Sequence, residues 1–208
     1  MSFEHWLAFA VASGILVAIP GPTVLLVISY ALGHGRKSAA ATVAGVALGD
    51  FTAMTASMLG LGAFLAASAT LFTALKLIGA VYLVYMGVKL WRAPVTLAGV
   101  AAPTETSARR VFAHAYVVTA LNPKSIVFFI AFLPQFFAPS RLIVPQMIIF
   151  EATFLVLATL NAAIYGVAAS AARRTIRKPA VQRAVNRVGG SFLIGAGLLA
   201  ATWRRASS

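Results

Sequence analysis

Residues 18–30 read AIPGPTVLLVISY, and they interrupt an apolar run that is otherwise long enough for a membrane helix. Proline has no N–H to give a helix, and its ring collides with the carbonyl four residues back. Pro20 and Pro22 therefore free the carbonyls of Leu16 and Ala18. In hydrocarbon a freed carbonyl needs another partner or a water-lined cavity. Beyond the break, Pro22 suits the first turn of a new half-helix. The N–H groups around Thr23 to Leu25 then form a positive dipole end that can hold an anion such as a carboxylate. The stretch predicts a broken membrane helix whose break has a use.

The rest of the chain agrees with a membrane setting. It has 208 residues, 61% hydrophobic and 10% charged, with a mean hydropathy of +0.91. A soluble domain carries about a quarter charged residues. The charges cluster and leave Trp6–Leu32 and Phe51–Leu75 without any, and uncharged apolar runs of about 20 residues read as transmembrane helices. The fold class is an all-α integral membrane protein. Cysteine is absent, so disulfides, thiolate metal sites and thiol redox chemistry are excluded. The formal charge of +13 is read as loop charge that sets topology and meets anionic lipid, not as a nucleic-acid footprint. The start MSFEHW lacks a basic n-region and Pro-Gly-Pro is no small-residue cleavage site, so the first helix is expected to be retained.

Six helices are expected, at about 6–33, 39–66, 71–91, 110–137, 142–172 and 187–203. They form one domain over 1–208, and the polar connector holding Pro94 and Pro103 reads as a loop rather than a boundary. The positive-inside rule gives the direction. Twelve basic residues fall on one side: Arg36, Lys37, Lys89, Arg92, Arg109, Arg110, Arg173, Arg174, Arg177, Lys178, Arg183 and Arg187. Five fall on the other: Lys76, Lys124, Arg141, Arg204 and Arg205. The first group is placed in the cytoplasm, so both termini are expected outside a bacterial inner membrane.

Two halves of opposite sense then repeat each other, about 1–92 and about 110–208. Pro22 precedes Asp50 by the same 28 residues that separate Pro123 from Glu151, an offset of 101 between halves. GAVYLVYMG at 79–87 matches GGSFLIGAG at 189–197 with an offset of 110. The expected architecture is an inverted 3+3 repeat with helices 1 and 4 broken. Secondary transporters are commonly built this way, with the substrate site near the midplane at the broken helices.

Asp50 and Glu151 are the only carboxylates deep inside expected helices. They lie about 12 and about 10 residues in, roughly 18 and 15 Å at 1.5 Å per residue. At such depth a carboxylate must be paired, hydrated or protonated. It can hold a substrate ammonium, carry the coupling proton, or pair structurally with Lys124. Asn122-Pro123-Lys124-Ser125 repeats the helix-1 break in helix 4. Tyr82 and Tyr85 could line a cavity from helix 3. Asn161 and Tyr165, one turn apart, could bond a neighbouring helix. Gly45-x-x-x-Gly49 permits close helix approach, and the small residues there and in helix 6 could support a homodimer. His5, His34 and His114 make no metal triad.

With PGPTVLLV at 20–27, GVALGD at 45–50, LKLIGAVYLVYMGVKLWR at 75–92 and LNPKSIVFFIAFLPQF at 121–136, the chain resembles the LysE/RhtB family of bacterial amino-acid exporters over essentially its whole length. The resemblance implies proton-driven export of amino acids or close derivatives. Its motifs fall on Pro20, Gly21, Pro22 and Thr23, on Asp50, and on Asn122, Pro123 and Lys124. Glu151 matches no motif and rests on the repeat alone. No cofactor or metal is expected. The partners are an amino-acid substrate, protons and the bilayer. A metal-cation exporter, an exporter of another small solute, or a channel are the alternatives; no enzyme is expected, since neither Gly-x-Ser-x-Gly nor His-Glu-x-x-His occurs.

Overall fold

A computed structural model describes residues 1–67, 69–92, 107–138, 141–171 and 179–202, and the regular structure of these residues is entirely helical. The helices are α1 Phe3–Ala18, α2 Pro22–Ala67, α3 Ala69–Trp91, α4 Ala108–Ala120, α5 Pro123–Ala131, α6 Ile143–Ala171 and α7 Pro179–Thr202, with a 3-10 turn at Leu133–Phe136. The connector with Pro94 and Pro103, the loop residues Arg173, Arg174, Arg177 and Lys178, and the tail with Arg204 and Arg205 lie outside the described residues. So do the side chains of His34, Arg36, Lys37 and Lys76.

Both expected breaks are present and share one cause. A residue before proline is pushed out of the helical region. Ile19 is accordingly extended (φ −72°, ψ 119°) and ends α1. Asn122, before Pro123, is extended too (φ −68°, ψ 109°) and separates α4 from α5. At the first break the axis turns by 54° between Phe3–Ala18 and Pro22–Ala31.

Two boundaries differ from expectation. The second half of expected helix 1 and all of expected helix 2 are joined within α2. The chain nevertheless reverses inside it. The Ser38 hydroxyl donates to the Tyr30 carbonyl at 3.2 Å, whereas eight residues of straight helix would separate them by about 12 Å. Val27 and Val46 pack in one cluster for the same reason. α2 therefore works as two arms, Pro22–Ala31 and Ser38–Gly60. The second difference is α7, which is helical from Pro179 rather than from about 187. Its basic first turns read as loop in the sequence, yet proline suits a helix start, and Arg183 and Arg187 are exposed along it.

Ser38–Gly60, Ala108–Phe136 and Ile143–Ala169 are long and apolar enough to cross a membrane, and the bent pair around Pro20 makes a fourth if counted as one span. Glycine sets the closest packing between them. A Cβ on Gly45 would stand 2.5 Å from the Phe112 carbonyl oxygen, and one on Gly49 would stand 2.7 Å from Thr119 Cβ. The α2 and α4 backbones thus touch, and these glycines are spent inside the chain. α3 and α7 cross in the same manner at Gly87 and Gly190. A phenylalanine core from α1, α5, the 3-10 turn and α6 completes the centre, with Phe9 and Phe150 ring centroids 4.6 Å apart and Phe129 and Phe154 at 4.8 Å.

Candidate functional site at two helix breaks

The broken end of α1 is fully capped by side chains from elsewhere. Lys124 Nζ donates to the carbonyls of Leu16 (2.9 Å) and Ile19 (2.8 Å). Asn161 Nδ2 donates to Val17 (2.8 Å), and the Tyr165 hydroxyl donates to Ala18 (2.8 Å). Four consecutive carbonyls are served by α5 and α6, and of these only Leu16 also accepts from the backbone, from the Ile19 N–H at 3.3 Å. Each such group, left bare in hydrocarbon, costs several kcal/mol. Sequence reasoning found the break and left its partners open. The signal was Asn161 and Tyr165 at i, i+4 in an otherwise apolar helix.

The second break meets the first. Asn122 caps α5 by accepting from the Lys124 backbone N–H (3.1 Å), and its Nδ2 donates to Thr23 Oγ1 (3.1 Å) at the start of α2. The Thr23 and Thr119 hydroxyls lie 3.3 Å apart. Gly21 faces Lys124, where a Cβ would come to 3.4 Å from Nζ. At the head of α2, Leu25 N–H already bonds the Gly21 carbonyl (2.9 Å), so the dipole end is carried by Thr23 and Val24.

Between the breaks lies a small cavity of about 30 Å³, lined by Leu16, Val17, Thr23, Val24, Val27, Val46, Asp50, Asn122, Lys124, Ser125, Phe154, Ala158, Asn161 and Ala162. Ligand pockets of drug-sized molecules are about 300–1,000 Å³, so this one is too small to hold one as it stands. Asp50 is only 4% exposed and Lys124 5%. The two line one cavity as an acid and a base; Lys124 Nζ donates to the Leu16 and Ile19 carbonyls, and among the described residues no hydrogen bond reaches the Asp50 carboxylate. Such a group is costly in a membrane interior and marks function by default. Larger hollows of about 620 and 600 Å³ lie between α2 and α4–α5 and between α2 and α6. Their linings carry no charged side chain.

Thr23, Asp50, Asn122 and Lys124 thus line one cavity, with Gly21 against Lys124, while Pro20, Pro22 and Pro123 stand at the breaks beside them. Glu151 lies outside the cavity on α6, half-buried, and accepts a hydrogen bond from Thr55. Thr55 sits five residues past Asp50, about 7.5 Å along the helix. Tyr82 and Tyr85 also lie away from the cavity. Their rings are 6.2 Å apart on α3, and Tyr85 is 57% exposed. Ser13 is buried on α1 with no hydrogen-bond partner for its hydroxyl.

Residues 14–203 match the family described as LysE type translocator. The chain belongs to the LysE family. It is 32% identical to a homoserine/homoserine lactone efflux protein of Salmonella typhi, over 99% of this chain and 100% of that one. An uncharacterized membrane protein of Vibrio cholerae is 33% identical over 97% of this chain and 98% of its own. A leucine efflux protein of Salmonella choleraesuis is 33% identical over 64% of this chain and 63% of its own. No solved structure matches. The chain is therefore a membrane protein of a translocator family, and its two helix breaks enclose a buried acid and a buried base.

Proposed function

We propose that this LysE-type translocator is a secondary active exporter of amino acids or close derivatives, driven by protons and working by alternating access around the cavity at the two breaks. The carrying observation is the buried Asp50, which lines one cavity with Lys124 and the end of α1 and, among the described residues, accepts no hydrogen bond at its carboxylate. The names of the relatives support the cargo class. Homoserine, homoserine lactone and leucine differ in side chain, and the lactone has no free carboxylate. What they share is an α-ammonium. Asp50 and the end of α1 supply what an ammonium needs: a charge and oriented carbonyl oxygens. For cargo with a carboxylate, the Thr23 end of α2 supplies the complementary dipole.

Six spans in an inverted 3+3 repeat fit the contacts. With the 110-residue offset, the contact of Gly87 with Gly190 maps onto that of Gly197 with Ala80. In both, a glycine Cβ would stand 2.6 Å from the partner's carbonyl oxygen. With the 101-residue offset, Thr23 with Asn122 maps onto Lys124 with Gly21, and these pairs also meet. A two-fold relation between halves accounts for such paired contacts. Orientation follows from charge. Arg187 Cζ stands 5.4 Å over the Trp91 ring, so the basic start of α7 joins Lys89 and Arg92 at one end of the bundle. That end is the cytoplasmic one, in a bacterial inner membrane with both termini outside. Asp50 carries the coupling proton, and Glu151, paired with Thr55 outside the cavity, takes or gives it when the other side opens.

The test is flux from purified protein in liposomes under an imposed pH gradient, screening homoserine, leucine, lysine and glutamate. Saturable uphill movement of amine-bearing solutes supports the exporter. Unsaturable flux indicates a channel, and no flux from inserted, folded protein refutes the reading.

A further inference from the structure

We infer that the Lys124 side chain is a tethered substitute for the ammonium of the cargo, seated in the carbonyl cage at the end of α1 that the cargo's own ammonium takes on binding. The inference rests on the proposed function for the cargo and on geometry for the seat.

The seat is built as a cation site. Carbonyls at a helix C-terminus carry partial negative charge, and Nζ contacts two of them, from Leu16 and Ile19, at 2.9 and 2.8 Å. An ammonium has three donors, so it is not fully used. A lysine present only to neutralise Asp50 would donate to it. Lys124 instead leaves that carboxylate facing the hollow. The seat is covered by Gly21, which has no side chain to block exchange. The break itself does not demand a lysine either. The corresponding place in the first half is Thr23, and Val17 and Ala18 are capped by neutral side chains. Finally, about 30 Å³ leaves no room for cargo while Lys124 is seated. Cargo enters as Lys124 swings off the carbonyls.

The consequence concerns the return of the unloaded carrier. With Lys124 seated, the carbonyls stay paired and the protein can reorient without cargo, which net efflux requires. Exchange of cargo for cargo never passes through the unloaded state and does not require it. Lys124→Ala and Lys124→Gln, the second retaining an uncharged N–H donor, are reconstituted as full-length chains with homoserine as probe. Net efflux is expected to fall to that of protein-free liposomes, while homoserine–homoserine exchange persists. In detergent, Lys124→Ala melts lower than wild type, and ethylammonium chloride restores its melting temperature by binding the seat. Tetramethylammonium, which has no N–H, does not. Loss of exchange together with efflux in folded variants overturns the inference, as does wild-type net efflux in both. If the wild type moves no amino acid, the functional reading fails separately. The ethylammonium comparison then decides the seat alone, and equal melting with both salts overturns it.

Discussion

Placing a methyl group between α2 and α4 tests the geometry that brings the two breaks together. Alanine at Gly45 sets a Cβ 2.5 Å from the Phe112 carbonyl oxygen and 2.8 Å from Ala115 Cβ; at Gly49 it meets Thr119 Cβ at 2.7 Å and the Tyr116 carbonyl at 2.9 Å. Backbone atoms cannot rotate away, so the helices must separate by roughly 0.7–1 Å, an overpacking that costs about 1–3 kcal/mol. For a chain of this length that is about 2–4 °C of Tm per kcal/mol, a fall of roughly 2–12 °C. The same substitution at Gly14, where nothing lies within 4 Å, relieves helical glycine and adds about 0.5–1 kcal/mol. Thermal unfolding in one detergent, followed by fluorescence, measures all three. Opposite signs are expected, and Gly49→Ala should also slow transport by shifting Thr119 and Asn122 from Thr23. Gly45→Ala melting with or above Gly14→Ala would refute the close approach.

Tyr165→Phe keeps the ring and removes the donor to Ala18, and Asn161→Ala strips the donor to Val17; each should destabilise by about 1–3 kcal/mol. Denaturation in detergent measures both. Thr55→Val leaves Glu151 without its hydroxyl donor and should alter the pH dependence of flux while leaving saturation by cargo intact. The chain has no cysteine, so Ala158→Cys gives a single thiol in the small cavity. It should react with a small water-soluble thiol reagent only as the carrier opens, and faster when cargo is cycling.

Much of the site was legible because proline acts locally. Pro20, Pro22 and Pro123 dictate where helices stop, and Asn122 before proline is a ready cap, so both breaks could be read from a few residues. Gly45-x-x-x-Gly49 announced a close approach but not its partner, since α4 and a second copy look alike to a stripe of small residues. The caps of α1 were not legible: Lys124, Asn161 and Tyr165 lie over a hundred residues away, and a long side chain's target depends on tertiary packing. The same limit applies to Glu151. Its spacing from Pro123 matches that of Asp50 from Pro22, yet spacing fixes depth along a helix and not the face that meets the cavity. The reversal inside α2 was legible from GHGRK as a connector, while its helical backbone was not.

The most direct test of the account follows protons and cargo together. Proteoliposomes holding a pH-sensitive dye are loaded with homoserine, and both movements are recorded for wild type and Asp50→Asn. Wild type should move protons against cargo in a fixed ratio, and Asp50→Asn should lose the proton movement and all response to an imposed pH gradient. Proton-coupled homoserine efflux undiminished in Asp50→Asn would contradict the claim that this buried carboxylate, between the two helix breaks, is the coupling site.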